Sequence, residues 1–211
     1  ADNGTDIIPV IAVPAWVKEP RREIQLGLES KVNLTLPASQ PYCTHRLHDQ
    51  DSNILVRRRD HFSHLWGKRV YPLFIPAYLE GKDGVLDIPY DDILPAADLT
   101  VFASYYEPWG YTPLESIAFG VPTVTTDKAG FGVWAQSLTD TQVLDNGVLV
   151  LNRDDDNYRD VAHRLAEAVR SYSVTPSEQR MTIGERAKEL SDRADWKHFF
   201  DQYEEAFGMA L

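Results

Sequence analysis

Alternation between short apolar runs and helical patterns is the feature that most constrains the fold of this chain. Apolar runs bounded by proline or glycine predict buried strands at Ile7–Val13, Arg69–Ile75, Leu99–Ala103, Pro122–Thr125 and Gly147–Leu151. The stretches between them predict helices at Lys18–Ser30, Ser52–Trp66, Tyr90–Ala96, Pro113–Phe119 and Gly132–Ser137. Strands that alternate with helices are typical of a parallel sheet, because each parallel connection crosses over a face of the sheet. The sequence therefore predicts an α/β fold with helices on both faces of a parallel sheet.

Helical patterns alone follow the last predicted strand. They predict helices at Asn157–Ser171, Ser177–Ser191 and Trp196–Met209. No segment repeats, so we expect one domain over residues 1–211, with a sheet core at 1–152 and a helical tail at 153–211. The chain opens almost directly on an apolar strand, without the glycine-rich strand-to-helix turn that begins many such sheets. We therefore expect the first strand–helix unit of the fold to be missing.

Charge and cysteine content exclude several classes of function. The 32 acidic and 21 basic residues leave a net charge of -11, which repels nucleic acids and anionic membrane surfaces. The longest apolar stretch, Ile7–Val17, is interrupted by prolines and is shorter than the roughly 20 residues that a membrane span needs. Cys43 is the only cysteine, and the first residues lack the pattern of a signal peptide. We therefore expect a cytoplasmic protein with no nucleic-acid or membrane partner.

The segment richest in chemistry, Ser104–Gly120, directly follows a predicted strand and reads SYYEPWGYTPLESIAFG. Ligands of open α/β sheets bind just beyond the carboxyl ends of the strands. Thr112 is a suitable N-cap for a helix whose first residue is Pro113. The free N–H groups of Gly110, Tyr111 and Thr112, together with the positive end of the helix dipole, would then favour a phosphate. The sequence predicts an anion site that needs no lysine.

Two carboxylates, Glu107 and Glu115, flank this predicted helix start. A carboxylate at such a place can accept hydrogen bonds from sugar hydroxyls. Thr112-x-x-Glu115 also matches a capping box, in which Glu115 only satisfies the backbone. Likewise, Glu107 has the alternative of a solvated loop acid, and Trp109 that of a cover over the core. The residues by themselves leave these alternatives open.

The run from Ser104 to Gly132 closely resembles the donor-site segment of glycogen synthases of the animal and fungal type and of their bacterial relatives. Two flanking segments, Tyr42-Cys43-Thr44-His45 and the S-D-x-x-D-W-K motif at Ser191–Lys197, resemble the same family. The resemblance implies the Rossmann-like C-terminal half of a two-domain GT-B glycosyltransferase. It also implies retaining transfer of glucose from a nucleotide sugar, with UDP-glucose the expected donor, to the end of an α-1,4-glucan.

The same resemblance implies roles for residues around the predicted helix start. Glu107 would be the catalytic residue and would hold hydroxyls of the donor glucose. The backbone of Trp109 and Gly110 would line the sugar, and the N–H groups of Tyr111 and Thr112 would receive the diphosphate. The expected mechanism is front-face displacement, in which the departing diphosphate helps to remove the proton of the acceptor.

The resemblance also implies which residues bind the nucleoside of the donor. Glu115 would bind the ribose hydroxyls, and the uracil ring would stack between Tyr78 and Tyr90. Without the resemblance, Tyr78 fits a surface tyrosine after a strand and Tyr90 fits a packing residue at the start of a helix. The family chemistry implies neither a metal nor a cofactor.

Departures from the family pattern set further expectations. The family's diphosphate-binding arginine and lysine, and its acceptor-facing N-terminal domain, would precede Ala1, so we expect the 211-residue chain alone to be inactive. The family's arginine-rich regulatory helix corresponds to Ser177–Arg193, where Arg180, Arg186 and Arg193 are dispersed. We therefore expect no activation by glucose 6-phosphate. The sequence is compatible with an oligomer.

The sequence also allows other functions for the chain and other roles for two groups of its residues. The chain could be a noncatalytic module that binds a nucleotide sugar or a glucan, or a related glycosyltransferase with another acceptor. The spacings His45-x-x-His48 and His61-x-x-His64, with Cys43 and Asp49 close by, could ligate zinc, although exposed or capping histidines around a loop and helix are the simpler explanation. The run Arg57–Arg59 fits a solvated helix face or a surface that docks a neighbouring domain or subunit.

Overall fold

The computed structural model describes residues 6–29, 43–62, 70 and 72–210. The chain divides into two compact units, Ala1–Ile93 and Leu94–Leu211. The single domain over residues 1–211, with its division between 152 and 153, stays a prediction. Within the described residues, none of the helices combines the length and the apolar character that a bilayer crossing requires.

Among its described residues, the first unit contains two pairs of short strands. Strand β1 (Val10–Ala12) lies parallel to β4 (Leu73–Ile75), with Val10 opposite Leu73. Strand β2 (Val17–Pro20) lies antiparallel to β3 (His45–Leu47). The α-helices that the structure describes in this unit are α1 (Arg22–Glu29), α2 (Ile54–Phe62) and α3 (Tyr90–Ile93). Cys43, Leu47, Val56 and Phe74 form its buried apolar cluster.

The predicted helix Lys18–Ser30 is wrong at its start. Residues 17–20 are extended because they pair with β3, and α1 begins only after Pro20, whose ring disfavours helical geometry at the residue before it. Strand β3 escaped prediction because it is only three residues long. Predicted positions Ser30, 63–66 and Arg69 lie outside the described residues.

The second unit is built on a parallel three-stranded sheet with the strand order β5-β6-β7. Its strands are β5 (Thr100–Val101), β6 (Thr123–Thr126) and β7 (Val148–Leu151). Helix α4 (Tyr111–Ala118) connects β5 to β6, and α5 (Gly130–Leu138) connects β6 to β7. These crossovers explain why the strands run parallel.

Helices alone make up the regular structure after β7. They are α6 (Tyr158–Ser173), α7 (Ser177–Ser191) and α8 (Phe200–Ala210). Two 3₁₀ turns, at Asp192–Ala194 and Trp196–His198, separate α7 from α8. The predicted helix Trp196–Met209 is therefore two elements, a short turn and a helix.

Strand β7 shows that the sheet is covered on both faces. Val148 and Val150 pack in one buried cluster with Ile117 of α4 and Phe131 of α5. Leu149 and Leu151 point to the opposite face and pack with Val161 of α6, among others. Successive residues of a strand alternate between faces, and each buried aliphatic side chain stabilises the fold by roughly 1.5–3 kcal/mol. The predicted parallel sheet with helices on both faces is confirmed.

Candidate functional site

The start of α4 lies beyond the carboxyl end of β5, but it differs from the prediction in one respect. The N-cap is Gly110, with φ 107°, and α4 begins at Tyr111. Thr112, the predicted N-cap, is therefore inside the first turn, and no side chain caps the helix. Glycine adopts this left-handed conformation without steric cost, which lets the helix begin two residues earlier. The capping-box alternative for Thr112 and Glu115 is wrong, and Glu115 is exposed.

Three N–H groups at this helix start have no acceptor in the part of the chain that the structure describes. They belong to Gly110, Tyr111 and Thr112. The next residue, Pro113, has no N–H to add. Orphan N–H groups and the helix dipole together make a favourable environment for an anion. The predicted anion site thus retains its donors although the N-cap was assigned to the wrong residue.

The loop that carries Glu107 is fastened to the start of α5 by backbone hydrogen bonds. The Glu107 N–H donates to the Lys128 carbonyl at 3.0 Å, and the Gly130 N–H donates to the Glu107 carbonyl at 3.0 Å. The Phe131 N–H donates to the Trp109 carbonyl at 2.7 Å. The Glu107 side chain is exposed. The backbone is therefore fixed while the carboxylate remains available to a ligand.

Close packing at this contact requires glycine. A Cβ atom on Gly130 would lie 2.3 Å from the Pro108 carbonyl oxygen and 3.2 Å from the Trp109 Cα. A Cβ atom on Gly132 would lie 2.2 Å from the Thr126 carbonyl oxygen. These glycines let the start of α5 approach both the loop and the end of β6.

Trp109 packs inward within an aromatic cluster. Its ring centroid lies 6.5 Å from that of Phe131, 5.8 Å from that of Trp134 and 6.1 Å from that of Phe199. The side chain is half-buried. Edge-to-face contacts of this kind are favourable, so the Trp109 side chain anchors the loop, as the packing alternative predicts.

The D-W-K motif forms the 3₁₀ turn just before Phe199. Asp195 accepts a hydrogen bond from the Lys197 N–H at 3.2 Å and lies 3.3 Å from Lys197 Nζ. The backbone hydrogen bond, followed by the Lys197 side chain, holds the pKa of Asp195 below its ordinary value. Asp195 is thus the N-cap of this turn.

Arg153 is a residue of this region that sequence reasoning missed. It lies two positions after β7 and is 8% exposed. Its Nη1 donates to the Ala103 carbonyl at 2.7 Å, and its Cζ lies 3.5 Å from the centroid of the Tyr105 ring. The available signal was a lone arginine just past the carboxyl end of a buried strand, where ligands of such sheets bind.

Tyr78 and Tyr90 belong to the first unit. Tyr78 is 72% exposed, whereas Tyr90 is half-buried and begins α3. The Tyr90 N–H donates to the Leu79 carbonyl at 2.8 Å, so the backbone brings the two tyrosines near each other. Their stacking role stays a prediction.

Histidines considered for zinc have other partners where the structure describes them. His45 is buried, with Nδ1 2.8 Å from Thr44 Oγ1 and Nε2 2.7 Å from the Asp83 carbonyl oxygen. His48 packs against Trp16 at 4.9 Å between ring centroids. Over the described residues, no three His, Cys, Asp or Glu side chains group around a common metal position. Tyr42, His64 and the side chain of His61 fall outside them.

Comparison with known proteins gives consistent matches. A sequence model of the glycogen synthase family matches residues 26–211. The glycogen synthase of Neurospora crassa is 37% identical over 180 residues, covering 84% of this chain and 25% of the relative. Isoform 2 from Saccharomyces cerevisiae is 33% identical over 175 residues, covering 81% of this chain and 25% of the relative. The mouse liver enzyme is 30% identical over 175 residues, covering 81% of this chain and 24% of the relative. This chain therefore spans about a quarter of the length of these relatives.

One solved structure similar to this chain is that of Anabaena HepE in complex with UDP and glucose. The alignment covers 97% of this chain and 48% of that one, with a TM-score of 0.49 and 15% sequence identity.

Proposed function

Because this chain belongs to the glycogen synthase family, we propose that it forms the donor-binding part of a retaining glucosyltransferase. The reaction moves glucose from UDP-glucose to the non-reducing end of an α-1,4-glucan. The observation that carries the proposal is the family match over residues 26–211, which includes the Glu107–Gly110 loop and the start of α4. In the cell we expect the protein to act in the cytoplasm, with an acceptor-facing domain completing the enzyme.

The geometry around α4 supports a division of labour within the donor site. The N–H groups of Gly110, Tyr111 and Thr112 point to no protein acceptor, which suits a leaving diphosphate. Glu107 holds the hydroxyls of the glucose, since its carboxylate is exposed while its backbone is fixed. Glu115, which does not cap the helix, contacts the ribose.

Ligand binding by the natural full-length protein tests this proposal. Calorimetric titration with UDP, ADP and uridine should give the tightest binding for UDP. Uridine should bind at least about tenfold more weakly than UDP, because it lacks the diphosphate and the charge-assisted hydrogen bonds that the diphosphate accepts. Tighter binding of ADP would reassign the donor, and saturation by none of the three would refute the proposed site.

Glucose 6-phosphate is expected not to activate the enzyme. Two of the arginines in the corresponding helix already have partners: Arg180 Nη1 lies 3.2 Å from Asp98 Oδ1, and Arg186 Nη1 donates to the Asp145 carbonyl at 3.0 Å. These contacts, and the dispersal of the arginines over the stretch Ser177–Arg193, disfavour a shared phosphate site. The measurement is the transfer rate with and without the effector, with a family member that has the arginine-rich helix as the positive control. A several-fold rise in rate would contradict the prediction.

A further inference from the structure

We propose that Arg153 is a positioning residue that fixes the segment from Ala103 to Glu107 and thereby orients the Glu107 carboxylate. The kinetic consequence rests on the proposed function, whereas the structural consequence does not. In the part of the chain that the structure describes, the hydrogen bonds and the ring contact of Arg153 involve neither Glu107 nor the start of α4. Arg153 acts through the backbone of Ala103 and the ring of Tyr105.

The contacts of Arg153 join the carboxyl ends of all three strands of the second unit. Its guanidinium donates to the carbonyl of Ala103, which lies just past β5 and 50 positions away in sequence. Its backbone N–H donates to Asp127 Oδ1 at 2.9 Å, just past β6. Arg153 itself follows β7. One residue thus ties together the edge at which ligands of parallel sheets bind.

The charge of Arg153 argues against a role in packing alone. Among the described residues, no carboxylate forms an ion pair with the guanidinium, and its buried Nε has no acceptor. Burying a cation without a counter-ion is costly, so an apolar side chain of similar length would fill this space with a smaller desolvation penalty. An apolar side chain lacks the planar guanidinium, which both stacks on the Tyr105 ring and donates a hydrogen bond to the Ala103 carbonyl.

Contacts at successive residues fix the segment from Ala103 to Glu107. Arg153 fixes Ala103 and Tyr105, while Thr126 Oγ1 donates to the Ser104 carbonyl at 2.7 Å. The Glu107 N–H donates to the Lys128 carbonyl. Only Tyr106, which is 79% exposed, lies between the Arg153 contacts and Glu107. Loss of the guanidinium therefore frees the start of a segment whose end carries the carboxylate.

Amide hydrogen exchange tests the structural consequence without any need for activity. In Arg153→Met, exchange at the Glu107 amide should be faster by about tenfold or more, because this amide is protected only while the segment stays in place. Exchange at the Val150 amide of β7 should change little. Tyr105 is 52% exposed, so Tyr105→Leu should fold normally. It should accelerate exchange at the Glu107 amide less than Arg153→Met does. Arg159→Met, at an exposed arginine of α6, is the matched control.

Unchanged exchange at Glu107 in both Arg153→Met and Tyr105→Leu would overturn the proposal. Faster exchange throughout the second unit would also overturn it, since that outcome is a general loss of stability. If Arg153→Met does not fold, Tyr105→Leu decides by the same criterion.

Kinetics of the natural full-length protein test the consequence for the reaction. Misplacement of a reacting group by about 1 Å can cost about 100-fold in rate, so Arg153→Met should lower kcat strongly and the KM for donor much less. Arg153→Lys should recover part of the loss, because lysine keeps one donor for Ala103. Arg159→Met should leave kcat unchanged.

The double variant Arg153→Met/Glu107→Gln separates positioning from an independent effect. If Arg153 acts through Glu107, the double variant is no slower than Glu107→Gln alone. Losses that multiply would overturn this route of action. A wild-type protein without transferase activity would refute the proposed function instead, and the exchange data would still decide the role of Arg153.

Discussion

Replacement of Glu107 by glutamine in the natural full-length protein is expected to lower kcat for glucose transfer by about 100-fold or more. The glutamine side chain has nearly the same shape but no negative charge. If Glu107 binds the donor glucose as proposed, the glutamine accepts weaker hydrogen bonds from the donor hydroxyls and gives less stabilisation to the positive charge that develops on the sugar in the transition state. The measurement is the initial rate of glucose incorporation from UDP-glucose into glycogen.

The fold should tolerate this change, which makes the kinetic result interpretable. The hydrogen bonds that fix Glu107 to Lys128 and Gly130 use only its backbone. We therefore expect the free energy of unfolding to stay within about 0.5 kcal/mol of the wild-type value. Glu189→Gln, at an exposed position of α7, removes the same charge elsewhere and should leave the rate unchanged. Equal rates and equal donor affinities for Glu107→Gln and the wild type would remove Glu107 from the site.

Gly130→Ala is expected to impair stability and donor binding together. The added Cβ atom would lie 2.3 Å from the Pro108 carbonyl oxygen, and because that neighbour is backbone, the loop and α5 must move apart. Overpacking of this kind costs about 1–3 kcal/mol. Separation at this point also displaces the Trp109 backbone, whose carbonyl accepts from the Phe131 N–H. In Gly130→Ala we therefore expect both a lower free energy of unfolding and a lower affinity for UDP.

Gly208→Ala is the matched control for this prediction. It makes the same chemical change in α8, where an added Cβ atom meets nothing within 4 Å. Alanine favours a helix over glycine by up to about 1 kcal/mol, so this variant should be as stable as the wild type or more stable. Urea unfolding and UDP titration of both variants give the comparison. If Gly130→Ala matched Gly208→Ala in both measurements, the close approach of loop and helix would be wrong.

The sequence predicted the second unit better than the first for a physical reason. Strands β6 and β7 are buried along their whole length, so their apolar and β-branched residues give a strong local signal. Strands β2 and β3 are three or four residues long and each has exposed positions. Their pairing depends on partners distant in sequence, which local patterns do not reveal.

In the candidate site, too, features with a local sequence signal were predicted and features that depend on distant contacts were not. The loop was predicted where it lies, and the start of α4 was predicted to within two residues, because their signals lie within one continuous segment. The N-cap was assigned to Thr112 because threonine and glycine both serve at helix starts, and no local pattern in the sequence marks the left-handed conformation that Gly110 adopts. Arg153 was missed because its contact with Ala103 spans 50 positions of sequence.

Amide exchange at Gly110, Tyr111 and Thr112 in the natural full-length protein tests most directly whether the start of α4 receives the donor diphosphate. With saturating UDP, exchange at these three amides should slow by about tenfold or more, because each N–H gains a phosphate acceptor. Saturating uridine, which lacks the diphosphate, should leave them unchanged. Unaltered exchange at all three amides under conditions where UDP is bound would contradict the account.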